Sequence, residues 1–295
     1  KRSKSYSKTN EDLQMNFASL KNAFLKPLIP VIKINGVINV DQTSKVALSL
    51  KKVNPSRSKA LAVVINSPGG SPVQSEIICH KIKHFCHEHK LPLYTFAEDV
   101  AASGGYFILC IGDKVFVDPS SLVGSIGVVS HTVKIKKTLE EHKINVKNLT
   151  TREELLSYKF SPLRDELTAE DKKVIEDLLK KTHNEFIHHV EEHRKNKLLQ
   201  DKEKRKELIY NADVFLGRRS IELGLADNVG DYHSVLYNEF PQAKIVNITS
   251  KSVMQQYREA LGLTISELKS RNSIVTMTPE EQRDAIISKY NEFFQ

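Results

Sequence analysis

The sequence predicts an α/β fold built on a mostly parallel sheet, and three observations carry that reading. Short β-branched runs alternate with segments of helical periodicity, the pattern of right-handed crossovers between parallel strands. One apolar run, Ala60-Leu-Ala-Val-Val-Ile-Asn66, is unbroken, as a strand covered on both faces requires. Two glycine-bearing turns, at 67–70 and 103–105, fall at strand ends, where parallel sheets gather their chemistry.

The elements follow in order along the chain. Residues 1–28 form a basic N-terminal extension, with a helix expected over Asp12 to Leu25. Ile29-Pro-Val-Ile-Lys-Ile-Asn-Gly36 reads as a strand and turn, and Thr43 to Val53 as a helix. The buried strand ends in Ser67-Pro-Gly-Gly70, after which Val73 to Lys90 has helical periodicity. Leu91 to Ala97 is a further strand, Ala101-Ala-Ser-Gly-Gly-Tyr106 opens a short apolar helix, and Lys114 to Val117 is strand again. From Glu170 to Lys195, Val174, Leu178, Phe186 and Val190 mark the apolar stripe of a long charged helix. Leu198 to Lys206 is polar enough for a surface turn or exposed helix. These readings divide the chain into an extension (1–28), a central domain (29–240) and a helical C-terminal region (241–295), the last with amphipathic helices expected over 250–295.

Composition excludes several classes. With 295 residues, 40% of them hydrophobic, the chain can build a core and is too apolar to be disordered. Three cysteines without a CxxC pair rule out a disulfide framework and argue against a zinc ribbon. No apolar run approaches the roughly 20 residues that span a bilayer. The chain begins at Lys1 without a methionine, which leaves room for a leader or membrane anchor upstream. Of the net charge of +8, the first 26 residues carry half, and elsewhere lysines sit beside glutamates. That is a solvated surface rather than a nucleic-acid stripe, and no nucleic-acid partner is expected.

The candidate chemistry lies in the turns. Ser103 follows two alanines and precedes Gly104-Gly105, so its hydroxyl is expected beside the free amides of a helix N-terminus. It reads either as a nucleophile or as a simple N-cap. Asn66-Ser-Pro-Gly-Gly70 supplies a tight turn whose amides can face a cavity. A nucleophile beside a donor loop is the outline of an acyl-transfer site. No histidine stands in an obvious triad context, His131 being the nearest. A lysine with a depressed pKa is the alternative base, and spacing alone does not choose among the lysines.

Taken together, Asn66-Ser-Pro-Gly-Gly70, Ala101-Ala-Ser-Gly-Gly-Tyr106 and Gly124-Ser-Ile-Gly-Val128 resemble three successive signatures of the signal peptide peptidase A (protease IV, SohB-like) family. Asp213 to Asp227, ending Gly-Leu-Ala-Asp, is similar to a fourth. The resemblance covers about Ile29 to Tyr232. It implies a ClpP/crotonase-like fold of repeated ββα units, with 29–240 as the peptidase domain, and a serine–lysine peptidase that cleaves hydrophobic peptides such as signal peptides or membrane-protein fragments. It places Ser103 as nucleophile, Gly70 and Gly104 as amide donors to the oxyanion, and Ser125 as the hydroxyl that holds the lysine. Tyr158-Lys-Phe-Ser-Pro162 resembles the lysine segment, which makes Lys159 the base, with Lys147 as the fallback. The mechanism calls for no metal or organic cofactor. The resemblance also implies a ring- or dome-like homo-oligomer with active sites shared between subunits, in a membrane-associated or organellar setting.

Other readings compete. His189-x-x-Glu192-His193 matches the inverted zinc-protease pattern, against the solvated face of a charged helix. His80, His84 and His87 share one face of the 73–90 helix, where a polar outer face with Cys79 and Cys86 packed inward is the simpler account. A crotonase-like acyl-CoA enzyme would use a similar fold, but no glutamate pair stands at the equivalent turns. A non-catalytic scaffold of the same fold is the remaining alternative.

Overall fold

The computed structural model describes residues 26–130, 133–147, 151, 161–164 and 167–251. The helices expected over Asp12–Leu25 and beyond Lys251, together with His131 and Lys159, lie outside them. All the elements below belong to a unit that ends at Thr249.

In chain order these are β1 (Leu28–Asn35), α1 (Val40–Leu50), β2 (Leu61–Ser67), α2 (Pro72–His89), β3 (Leu93–Ala102), α3 (Gly104–Leu109), β4 (Lys114–Val117) and β5 (Leu122–Gly124). There follow α4 (Lys136–Glu141), α5 (Ala169–Arg194), α6 (Lys202–Leu208), β6 (Val214–Leu216), α7 (Gly217–Glu222), β7 (Asn228–Val229), α8 (Tyr232–Glu239) and β8 (Lys244–Asn247). The fold is the expected α/β class. The sheet runs β6-β5-β3-β2-β1-β8, with β4 joined to β3 and β7. Every pairing is parallel except β5 with β6. The sheet continues past residue 240, because β8 pairs with β1 from Leu28↔Lys244 onward.

The unbroken run of β2 has a direct structural cause. Leu61, Val63 and Ile65 enter one core cluster, and Ala60, Ala62 and Val64 enter the other. Alternate side chains thus fill opposite faces. The first face packs against the helices, through Val46, Ile78, Ile82, Ile108 and Val190. The second packs against α8, through Leu236 beside Tyr94, Phe96 and Phe116.

Local signals set the helix starts. Asn39 Oδ1 accepts the Gln42 N–H at the head of α1. Ser71 caps α2, with Pro72 next in line, a position where a missing N–H costs nothing. Thr168 and Asp171 form a reciprocal capping box on α5.

Two sequence expectations change. The stripe on α5 is shifted: Val174 and Leu178 are 41% and 43% exposed, and Ile175, Phe186, Val190 and Arg194 face the core. And β3 does not stop at Ala97. Glu98 and Asp99 interrupt its apolar run, yet the strand continues to Ala102. Its first half pairs with β4 (Tyr94↔Lys114 to Ala97↔Val117) and its last residues with β5 (Val100↔Leu122 to Ala102↔Gly124). This fork brings the ends of β2, β3 and β5 side by side.

Candidate active site

Three turns leave those neighbouring carboxyl ends. Ser67 is in register with Ala101, and Ala102 with Gly124. Ser103 and Ser125 therefore follow as the next pair across β3 and β5, and the Ser103 N–H extends the ladder by donating to Gly124 O at 2.8 Å. Both serines take a positive φ, 51° and 52°. This is a costly backbone for a residue with a Cβ, by about 1–3 kcal/mol each, and such strain concentrates at functional positions.

The structure removes the simple N-cap reading of Ser103. It occupies the position before α3, but with φ 51° and ψ −123° its side chain makes no capping hydrogen bond. An N-cap needs extended backbone to turn its oxygen onto the helix amides.

Gly70 and Gly104 lie against each other: a Cβ built on Gly104 would stand 3.4 Å from Gly70 N and 2.5 Å from Ser75 Oγ. The Gly104 amide is the first of α3 and has no intrahelical acceptor. Gly70 N–H donates to no backbone carbonyl among the described residues. Gly70 is fixed by a bridge to Ile38, in which Ile38 N–H donates to Gly69 O at 2.8 Å and Ser71 N–H to Ile38 O at 2.9 Å. A Cβ on Gly70 would approach Ile38 O to 2.2 Å, and backbone on both sides cannot give way. Gly70→Ala is expected to lower stability by about 2–4 kcal/mol from overpacking and strain, read as a fall in melting temperature. An unchanged melting temperature would show that the turn can move.

Ser103, Gly104, Gly70 and Ser125 all line one cavity of about 1170 Å³. Its lining includes the apolar side chains of Val73, Cys79, Phe107, Val128 and Phe186, and much of it comes from α2 and α5. Sequence reasoning missed Ile38 and Ser75, whose places depend on pairings across the fold that no local motif records.

The histidines of α5 are engaged elsewhere. His189 Nε2–H donates to Phe107 O at 2.9 Å, and the His189 ring stacks on the Phe107 ring at 3.5 Å between centroids. Burial first, then the neighbouring His193, push its pKa down to about 3, so the ring is neutral. His193 Nδ1–H donates to His189 O at 2.8 Å. No group of three or more His, Cys, Asp or Glu among the described residues is placed to hold a metal. On α2, His80, His84 and His87 are exposed while Cys79 and Cys86 are buried. Burial pushes the Cys86 thiol up to about 12, and that of Cys79 well above its usual value.

Among the described residues, Lys83 and Lys181 are the lysines that reach the cavity wall. Both are exposed, and Asp177, 2.8 Å from Lys181, holds it in the charged form. Lys147 is exposed as well. None of the three side chains is buried.

A profile of Peptidase family S49 matches residues 86–245, more than half of the chain. A Brucella abortus protein named Na(+)/H(+) antiporter NhaA is 36% identical over 217 residues, covering 70% of this chain and 28% of that protein. Protease 4 of Haemophilus influenzae is 25% identical over 242 residues, covering 78% of this chain and 36% of the protease. The chain thus spans about a third of the length of these two relatives. A solved structure of the 1510-N membrane-bound stomatin-specific protease matches with a TM-score of 0.47 at 14% identity, over 72% of this chain and 84% of that one.

Proposed function

Because the chain belongs to peptidase family S49, we propose that it is a serine endopeptidase with a Ser103–Lys159 dyad. The observation that carries the proposal is the juxtaposition of an uncapped, strained Ser103 with the adjacent amides of Gly70 and Gly104 in one cavity. Ser103 Oγ attacks a peptide carbonyl, and its proton passes to the neutral amine of Lys159. The oxyanion is received by the Gly70 and Gly104 amides. The protonated lysine then supplies the leaving amine with its proton, and water, deprotonated by the same amine, hydrolyses the acyl-enzyme. Ser125, the residue after β5 and at a positive φ like Ser103, is assigned to hold the lysine. The apolar side chains in the lining suit hydrophobic peptides such as signal peptides or membrane-protein fragments. The inert-scaffold alternative predicts no turnover of any peptide and no labelling of Ser103.

The primary test is labelling by a fluorophosphonate probe, with attachment mapped to Ser103. A neutral amine base requires turnover to rise with pH as the lysine loses its proton, and Lys159→Ala is expected to lower turnover by at least about 10³-fold. We also propose a homo-oligomer in which Ser103 and Lys159 of one site come from neighbouring subunits. Mixing Ser103→Ala and Lys159→Ala chains would then restore part of the activity. Full activity in Lys159→Ala would remove Lys159 from the dyad. A compact monomer that cleaves peptides would dispose of the shared site.

A further inference from the structure

Between the pairs Ile65↔Ala97 and Ser67↔Ala101, β2 advances by two residues and β3 by four. The excess falls at Glu98-Asp99-Val100, where β3 also changes neighbours: Ala97 is the last residue paired with β4 and Val100 the first paired with β5. A bulge of this kind leaves ladder groups without backbone partners, and here side chains from both flanks supply them. From β2, Asn66 Oδ1 accepts the Val100 N–H at 3.3 Å, while Nδ2 donates to Asp99 Oδ2 at 2.8 Å. From the other flank, Ser121, 1% exposed, donates to the Glu98 carbonyl and accepts the Asp118 N–H at 3.0 Å. Ser103 follows Val100 by three residues.

The geometry assigns Asn66 and Ser121 as positioning residues for Ser103, a reading that rests on Ser103 being the nucleophile. They clamp the bulge from both sides, so that β3 leaves β4, enters register with β5 and delivers Ser103 beside Ser125 and the Gly70 turn. Asn66 is the residue suited to the inner flank because one short side chain offers an acceptor and a donor together. Alanine offers neither, and aspartate would set a carboxylate against Asp99.

The test exchanges donor and acceptor. In Asn66→Asp two carboxylates face each other. In the double variant Asn66→Asp/Asp99→Asn, the aspartate still accepts from Val100 N–H and the amide donor returns on the opposite side. On the full chain, Asn66→Asp is expected to slow fluorophosphonate labelling of Ser103 by about 10-fold or more, since small misplacements of reacting groups are costly. It should lower kcat for a peptide with KM unchanged, and speed amide exchange at Ser103, with the melting temperature little altered. The double variant should return labelling and exchange to near the wild-type rates. Wild-type labelling and exchange in Asn66→Asp, or no recovery in a folded double variant, would overturn the assignment. If Asn66→Asp fails to fold, Ser121→Ala puts the same question, with the same slow labelling and fast exchange expected and wild-type rates overturning it. Should wild-type protein not label at Ser103, the nucleophile reading fails, and amide exchange alone decides whether the clamp holds Ser103.

Discussion

Replacing Ser103 with alanine is expected to abolish fluorophosphonate labelling and to lower peptide turnover by about three orders of magnitude or more, while assembly and melting temperature stay as they are. The reason for the stability half of this expectation is structural. The Ser103 side chain caps nothing, and alanine carries the same Cβ at the same positive φ, so no native contact is lost. The size of the kinetic effect follows from the proposed role of Ser103 Oγ as the atom that forms the covalent bond. The proposed donors at Gly70 and Gly104 remain, so a residual rate from binding and charge stabilisation alone is expected. Near-normal hydrolysis by Ser103→Ala would eliminate the nucleophile assignment, whatever its labelling showed.

Asp227→Ala is expected to cost about 3–5 kcal/mol of stability, because it leaves a buried guanidinium without its counter-charge. The Arg194 side chain is wholly buried and lies 2.8 Å from Asp227. Its Nε also donates to Gly224 O at 3.0 Å. Asp227 further accepts from Val115 N–H at 2.8 Å and from Lys197 Nζ at 2.9 Å. One carboxylate thereby ties the end of α5, the start of β4 and the Gly224–Asp227 turn together. Burial raises the pKa of Asp227, but the Arg194 and Lys197 hydrogen bonds outweigh it and hold the carboxyl below its usual value. The sign follows from that depression. The contribution is complete above the unfolded-state pKa of about 4 and is lost as pH falls through the lower folded value. The melting temperatures of wild type and Asp227→Asn should therefore lie far apart at pH 7 and draw together below about pH 4. Parallel curves throughout would mean that the pair contributes no pH-dependent stability.

The comparison of sequence with structure turns on how far apart in the chain the partners lie. The end of β2 and the turn at Ser67-Pro-Gly-Gly70 were legible, because apolar runs and glycines act within a few residues. The placing of Ser103, Gly70, Gly104 and Ser125 in one cavity was legible only through the order of several motifs, since each alone fits an ordinary turn. The continuation of β3 was not legible. Glu98 and Asp99 look like the end of a strand, and what carries the strand through them is a side chain on β2 and another just before β5. The edge strands β6 and β8 were missed for a similar reason, being short and defined by their neighbours rather than by their own pattern. The shift of the α5 stripe from Val174 and Leu178 to Ile175 and Arg194 has the same origin. A fully buried arginine cannot be counted as core from hydropathy, and only its pairing with Asp227 admits it.

The backbone angle at Ser103 also narrows the paths open to drift. Threonine carries the same hydroxyl and is a single-base change from many serine codons, but its branched Cβ is the kind least tolerated at φ 51°. Glycine or asparagine sits more easily at that angle, so the backbone tolerates loss of the hydroxyl better than its transfer to a branched side chain.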